Sequence, residues 1–381
     1  MEIQEEDIYK MQEALRGVDD PRRQWGFIRH KLLDILVIGL CSITVRGEGF
    51  DEMEDLGRAW EEWFRKFLEL PNGIPDEDTF RRIFERVNSS QLLSCLQQWL
   101  AEKSLSGGRE INLDGKTIRG SGCVSAERKG IHMVSAWVNE NNLTLGQLAT
   151  EAHSNEITAI PQLLDMIDIE GDTVTIDAMG CQTEIASKIR SKHADYVLAV
   201  KENQATLYNE IKEYFDYIDE GRHARDMPED VWESGLEKDH GRVEKRRIRT
   251  ACDISFLSRK KQWKDIKTII EYLCERTVKE KTTITYKYYI SSKDTSAEEF
   301  GRIIRNHWSI ENNLHWALDV SFREDACRAR KDNSPKNLTV LRKIALSRLR
   351  AVNAGKRVSI RRKMFRASLN PDFLHKVLFG E

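Results

Sequence analysis

Apolar positions change their period twice along the chain. Through residues 1–100 they recur every three to four positions, the helical repeat. The run LLDILVIGLCSI at 32–43 is apolar on every side except at Asp34, which predicts a buried core helix; it is too short to span a bilayer. An aromatic stretch follows at Trp60, Trp63, Phe64 and Phe67. In GIPDEDTFRRIFERV, Pro75 and Asp76 signal a helix start, and Phe80, Ile83, Phe84 and Val87 share one face. Two readings of this region stay open: a DNA-binding helix pair, or a small helical bundle with an aromatic core.

Beyond residue 109 the period shortens toward two. INLDG (111–115), HMVSAWV (132–138) and LTLGQLA (143–149) predict three successive strands. SNEITAIPQLLDMI (154–167) predicts a helix capped by Ser154. GDTVTIDAMG (171–180) reads as a strand ending at an aspartate, CQTEIASKIRSK as the next helix, and DYVLAVK (195–201) as a further strand. A meander followed by alternating helix and strand implies a mixed sheet with helices on its faces.

The pattern then changes again. The helix TLYNEIKEYFDYI and a polar loop precede RVEKRRIRT (242–250), KTIIEYLCER (267–276) and TTITYKYYISS (282–292), which alternate as antiparallel strands do. They read as an insertion before a last long helix, 297–319. The expected organisation is a helical domain at 1–105, the first part of an α/β core at 106–204, a β-rich insertion at 205–295, and the last part of the core with a basic tail at 296–381.

Composition narrows the function classes. With 381 residues, 40% of them hydrophobic, the chain can build two or three cored domains. A net charge of −2 excludes a uniformly basic surface, but not a basic face. From Asn333 to Pro371 there is no acid, while lysines and arginines run from Lys336 to Arg366. Without acids to pair them, these cations predict a polyanionic partner. The seven cysteines form no CxxC pair, which argues against a disulfide framework or thiolate zinc site and leads us to expect a reducing cytoplasm. The polar start MEIQEEDIYK reads as no signal peptide.

The candidate chemistry lies in the carboxylates. Asp114 and Asp177 each end a predicted strand of the mixed sheet. Two neighbouring carboxylates repel, and one protonates unless a cation lies between them. Mg²⁺ favours such hard oxygen donors. With a third acid the pair could hold two ions roughly 3.5–4 Å apart, the arrangement used for in-line displacement at phosphorus. Glu311, among His307, Asn312, Asn313 and His315 on the last helix, is the best third acid. His307, Glu311 and His315 share a face, which raises a rival zinc reading. The HExxH order is absent, however, and strand-end aspartates suit hard cations better. The histidines then contact phosphate, orient Glu311, or make ordinary surface hydrogen bonds.

Six segments now stand in order: INLDGKTIRGS, SNEITAIPQLLDMI, VTIDAMGCQ, DYVLAVKENQ, YYISS and RNHWSIENNLHWALDV. Together they resemble the H-repeat-associated proteins, insertion-sequence transposases of the DDE type. DPRRQWGFIRHKLLDILVIGLCSI and GIPDEDTF resemble the helical domain that precedes the catalytic domain in that family, so the likeness covers nearly the whole chain. It implies an RNase H-like α/β fold: a mixed sheet with flanking helices, a β-rich insertion before the last catalytic helix, and an N-terminal helical domain. It further implies that Asp114, Asp177 and Glu311 are catalytic and hold Mg²⁺, with Mn²⁺ as a substitute.

The implied activity is metal-dependent DNA strand cleavage followed by strand transfer. On this reading Lys116, Arg119, Lys201, Asn203 and Gln204, just beyond strand ends, contact phosphate or position the strand. Lys245, Arg246 and Arg247 join the basic tail, including Arg361, Arg362 and Lys363, in gripping DNA, and His307 and His315 contact phosphate. The expected partners are the double-stranded terminal repeats, the target DNA and a second copy on DNA. No membrane or small-molecule substrate is expected, and the setting is the bacterial cytoplasm, on the nucleoid. The broader branch carries a Tyr, an Arg and a Lys around the Glu; here Ile304, His307 and Leu318 stand there, so the roles of those three do not carry over. Two alternatives remain: a DNA-binding relative without catalysis, and a nuclease without strand transfer.

Overall fold

The computed structural model describes all residues except 1–4, 23–27, 102–106, 124–126, 128, 151–155, 221–229, 240 and 381. The expected Ser154 cap lies outside the described residues.

Helices α1 (Glu5–Arg16), α2 (Leu32–Thr44), α3 (Asp51–Ala59), α4 (Glu61–Phe64), α5 (Glu77–Arg86) and α6 (Ser89–Ala101) share one apolar core. The largely apolar α2 is buried from Asp34 to Thr44, and Asp34 accepts the Leu70 N–H at 3.1 Å. α5 begins where the Asp76 carboxylate accepts the Thr79 N–H at 2.7 Å, an N-cap. Its Phe80, Ile83 and Phe84 face inward, and the Trp63 and Phe64 rings pack edge-on at 5.0 Å. The aromatic stripe is thus core, as in the bundle reading.

The α/β region follows as β1 (Glu110–Ile118), β2 (Ile131–Val138), β3 (Leu143–Ala149), α7 (Glu156–Met166), β4 (Thr173–Ile176), α8 (Thr183–Ser191), β5 (Asp195–Val200) and α9 (Ala205–Asp219). Next come β6 (Asp230–Glu233), β7 (Glu237–Asp239), β8 (Arg242–Ala251), β9 (Thr268–Val278) and β10 (Lys281–Ser291). One ten-stranded sheet runs β3-β2-β1-β4-β5-β10-β9-β8-β6, with β7 on β8. β1, β4 and β5 are parallel, and the β1–β2–β3 meander is antiparallel. This is the RNase H-like arrangement expected from the motifs. The β-rich segment continues the same sheet, because β10 pairs with β5 and sets Ile290 opposite Leu198. β6 and β7 fall in what reads as a polar loop. They are short, and β6 carries no alternating apolar face to announce it.

The predicted 297–319 helix is interrupted. α10 (Ala297–His307) leads to a five-residue π turn at Glu311–His315, and then to α11 (Trp316–Val320). α12 (Ser334–Ala351), α13 (Ile360–Leu369) and α14 (Pro371–Phe379) close the chain. Among the described residues, no helix is long and apolar enough to cross a membrane.

The acid-free stretch differs from the expected basic tail. α12 is buried from Ser334 to Leu349 except at Lys336, and it packs on α2, α5, α6 and β3. Leu338, Leu341, Ala345, Leu346 and Leu349 supply its apolar surface, while its cations reach past them to internal acceptors. Lys343 Nζ donates to Ser135 Oγ at 2.6 Å and Gln147 Oε1 at 2.8 Å, and burial pushes its pKa down to about 7. Lys363, expected on DNA, is buried; its ammonium donates to the carbonyls of Leu349 (2.7 Å) and Val352 (2.8 Å) at the end of α12. Arg361 and Arg362, on α13 with Lys363, remain exposed.

Candidate active site

Asp114 lies on β1 opposite Ser135 of β2, and β1 runs parallel to β4 with Leu113 beside Ile176. Asp177 is the first residue past β4, whereas β1 runs on to Ile118; Asp114 therefore lies mid-strand rather than at the predicted strand end, and the register sets it beside the C-terminal end of β4. The Asp177 carboxylate accepts the N–H groups of Met179 (3.1 Å) and Gly180 (3.4 Å), which fixes the turn it begins.

Polar contacts dock the Glu311-bearing helix over these strands. The Asn306 carbonyl accepts Asn112 Nδ2 at 3.2 Å and Asn139 Nδ2 at 2.9 Å. Thr175 on β4 pairs its Oγ1 with His307 Nδ1 at 2.8 Å and with Asn112 Oδ1 at 2.6 Å. The π turn then carries Glu311 and His315 to Asp114. His315 Nδ1 is 3.4 Å from Asp114 Oδ2 and 3.6 Å from Glu311 Oε2. Asp114, Glu311 and His315 offer ligand atoms all within 4.8 Å of one another. Asp177 stands outside that trio, yet its charge bears on Asp114.

Electrostatics mark a site short of positive charge. Burial, then the carboxylates of Glu311, Glu156 and Asp177, push Asp114 up to about 8. Burial and Glu156 raise Asp177 as well. Glu311 is held below its ordinary value by its hydrogen bond with His315. Burial and the Lys287 ammonium drive His307 down to about 4, so it is a neutral ring. Among the described residues, neither aspartate forms an ion pair with lysine or arginine, and the buried His315 Nε2 has no partner. Hard carboxylate oxygens with one imidazole, and no internal cation to offset them, suit a divalent metal ion.

Comparison with known proteins decides the family. Residues 106–348 match the family model described as "Transposase DDE domain", and residues 12–100 match its associated region, "DDE_Tnp_1-associated". The chain belongs to the DDE transposase family. "Putative transposase YncI" of Escherichia coli O157:H7 is 40% identical over 366 residues, covering 93% of this chain and 91% of that one. "H repeat-associated putative transposase YhhI" of Escherichia coli K12 is 36% identical over 381 residues, covering 98% and 99%. A shorter relative, "Inactive transposase YbfQ" of the same strain, is 31% identical over 77 residues, which is 20% of this chain and 90% of that one. The H-repeat resemblance read from the motifs therefore holds.

Within this DDE chain, the other expected DNA contacts divide. Lys116 is corrected: its Nζ lies 2.7 Å from Asp319, 2.9 Å from Glu324 and 3.4 Å from Asp325, inside the protein. Burial pushes Glu324 up, but Lys116 and Arg342 outweigh it and leave the acid below its ordinary value. Arg119 is exposed, with Nε 3.5 Å from Asp325. Lys201 is exposed beside Asp177. Asn203 and Gln204 brace the Asp177 turn, donating to the carbonyls of Ala178 (2.7 Å) and Cys181 (2.9 Å). Lys245 pairs with Glu233 at 2.7 Å, Arg246 with Glu237 at 3.0 Å, and Arg247 lies beside them on β8. His307 faces Thr175, and His315 is buried among the acids, so of the roles expected for the histidines the orientation of Glu311 is the one His315 fits.

Several residues other than Arg246 escaped the sequence reading. A groove of about 740 Å³ opens between β8–β10 and the α10–π-turn segment, lined by Arg242, Arg246, Arg276, Lys287, Arg305 and the exposed Trp308. Lys287 Nζ sits 3.8 Å above the Trp308 ring. Alternating cations on β8, β9 and β10 were the available signal. Glu156 and His132 beside Asp114 were also missed; an acid at the start of the helix after β3 has no distinctive local pattern.

Proposed function

We propose that this chain cuts DNA at the ends of an insertion sequence and transfers the freed strand into target DNA. The observation that carries this reading is the convergence of Glu311 and His315 on Asp114 from an element some two hundred positions away in sequence. Asp114, Asp177 and Glu311 hold the metal ions in this reading, and His315 keeps the solvent-exposed Glu311 ionised and turned toward Asp114. When bound, a pair of Mg²⁺ or Mn²⁺ ions supplies an activated oxygen nucleophile and neutralises charge on the leaving oxygen. Water displaces the 3′ oxygen at the element end; that 3′-hydroxyl then displaces the 3′ oxygen of a target phosphodiester.

The exposed cations supply the grip. Lys201 beside Asp177, Arg119, and Arg361 and Arg362 on α13 face solvent and suit phosphate contacts. Lys287, Arg276 and Trp308 line a groove that begins next to the π turn and suits one strand of the substrate. Pairing two DNA ends calls for two copies, so the working form is a dimer on DNA.

The test uses the DNA flanking the coding region. Terminal-repeat duplexes and a target plasmid are incubated with the protein and Mg²⁺, and Asp177→Asn serves as control. Metal-dependent nicks followed by joined products support transposition. Nicks without joined products point to a nuclease, and binding without nicks to a silent DNA-binding relative.

A further inference from the structure

The site contains a fourth carboxylate that the three-acid reading leaves unused. Glu156 opens α7, and its side chain is 12% exposed. Its Oε1 lies 2.6 Å from His132 Nε2, while His132 Nδ1 lies 2.9 Å from Thr117 Oγ1. His132 on β2 is the register partner of Thr117 on β1. With the Thr117 hydroxyl donating to Nδ1, the proton sits on Nε2 and is donated to Glu156.

Gly115, the residue after Asp114, shows that this placement is specified. A Cβ there would overlap both the Glu156 carboxylate and the His132 ring. Glycine is what lets the carboxylate settle against β1 beside Asp114. The charge of Glu156 bears on Asp114, and on Asp177 more strongly than any other charged group does. Packing a further acid against two aspartates is unfavourable unless a cation joins them.

A second feature points to a ligand in the same place. His315 is 6% exposed, its Nδ1 is turned to Asp114, and its Nε2 makes no hydrogen bond among the described residues. Asp114, Glu311 and His315 form one donor set. Asp177 lies outside it, and the Glu156 carboxylate, set against Gly115, bears on both aspartates.

Building on the transposase reading, we propose that Glu156 is a metal-binding carboxylate of this site. It serves with Asp177 as the second ion's donors, as Glu311 and His315 serve with Asp114 for the first. His132 is a positioning residue: it engages Oε1 and leaves Oε2 for the ion.

The test is Mn²⁺ binding to the full chain, read by calorimetry and by free-Mn²⁺ electron paramagnetic resonance, with no reference to activity. The wild-type protein is expected to take up two ions. Glu156→Gln and Asp177→Asn should each weaken the same one at least tenfold, their combination should be little worse than either alone, and Glu311→Gln should weaken the other. His132→Ala should weaken the Glu156 ion about tenfold. Thermal melts establish that each variant is folded. If the glutamine variant does not fold, Glu156→Asp replaces it; retaining the charge but withdrawing it by one methylene, it should still lose about tenfold. Wild-type affinity in a folded Glu156 variant, with Asp177→Asn weakened, overturns the role of Glu156 and leaves the three-acid site intact. No Mn²⁺ uptake by the wild type overturns both.

Discussion

His315 Nδ1 stands 3.4 Å from Asp114 Oδ2, so a histidine in the π turn meets an aspartate on the first strand of the sheet. The contact turns the imidazole toward both Asp114 and Glu311. In a regular α-helix the i→i+4 spacing would stack Glu311 and His315 along one face; the π turn widens that step, a distortion that often accompanies function. His315→Ala should release Glu311 from the hydrogen bond that holds its pKa down. Calorimetry with Mn²⁺ at neutral pH should then show about tenfold weaker binding. Unchanged affinity would mean that the histidine is merely buried there.

Asp114 contributes a pH dependence of its own to the metal-free protein. Its folded-state pKa is pushed up to about 8, from 3.8 for an unperturbed carboxyl. The folded chain keeps a proton that the unfolded chain releases, so this stabilisation is complete below the unfolded value and is lost as pH rises through about 8. Melting with a chelator should therefore show the wild type losing stability relative to Asp114→Asn over that window, whatever His307 and Lys343 add to both proteins alike. Asp114→Asn should flatten the fall and raise stability at pH 8 by on the order of 2 kcal/mol, residual water around the site damping the full effect. Mn²⁺ should stabilise the wild type increasingly over the same range, and the variant little.

Lys116 is expected to matter for folding rather than for DNA. It is the ammonium that offsets the fully buried Glu324, with Asp319 and Asp325 alongside. Lys116→Met leaves that acid short of its counter-charge and should cost about 3–5 kcal/mol in urea unfolding. Full stability together with weaker DNA binding would return Lys116 to the role its position after Asp114 suggests.

These outcomes also mark what can be read in advance. Asp114 and Asp177 stand out because each follows an apolar β run and lies where a buried charge needs an explanation. Lys116 does not, since its principal partner Glu324 is 208 residues downstream and nothing local to either residue pairs them. α12 misleads for a related reason: residue type alone does not separate a cation in water from Lys343 donating to Ser135 and Gln147 inside the fold. The continuity of β10 with β5 and the π turn depend on tertiary packing, which a local period does not record.

On the proposed reading, the two faces of α13 separate DNA grip from structure. Arg361→Ala with Arg362→Ala should leave thermal stability close to wild type and weaken DNA binding. The slope of log affinity against log salt should become shallower by about 2, one for each phosphate no longer neutralised. Lys363→Ala should instead lower stability by about 1–2 kcal/mol, because the carbonyls of Leu349 and Val352 lose their buried donor. An unchanged salt slope in the double arginine variant would remove α13 from the DNA-binding surface.

The most direct measurement is single-turnover cleavage of a terminal-repeat duplex in Mg²⁺ by the wild type, Asp114→Asn, Asp177→Asn and Glu311→Gln, with DNA binding measured in parallel. Each substitution should slow cutting by about a thousandfold, the several kcal/mol that metal stabilisation of the transition state provides, while binding persists. Cutting by the Glu311→Gln protein at the wild-type rate would contradict a catalytic centre assembled from these three acids.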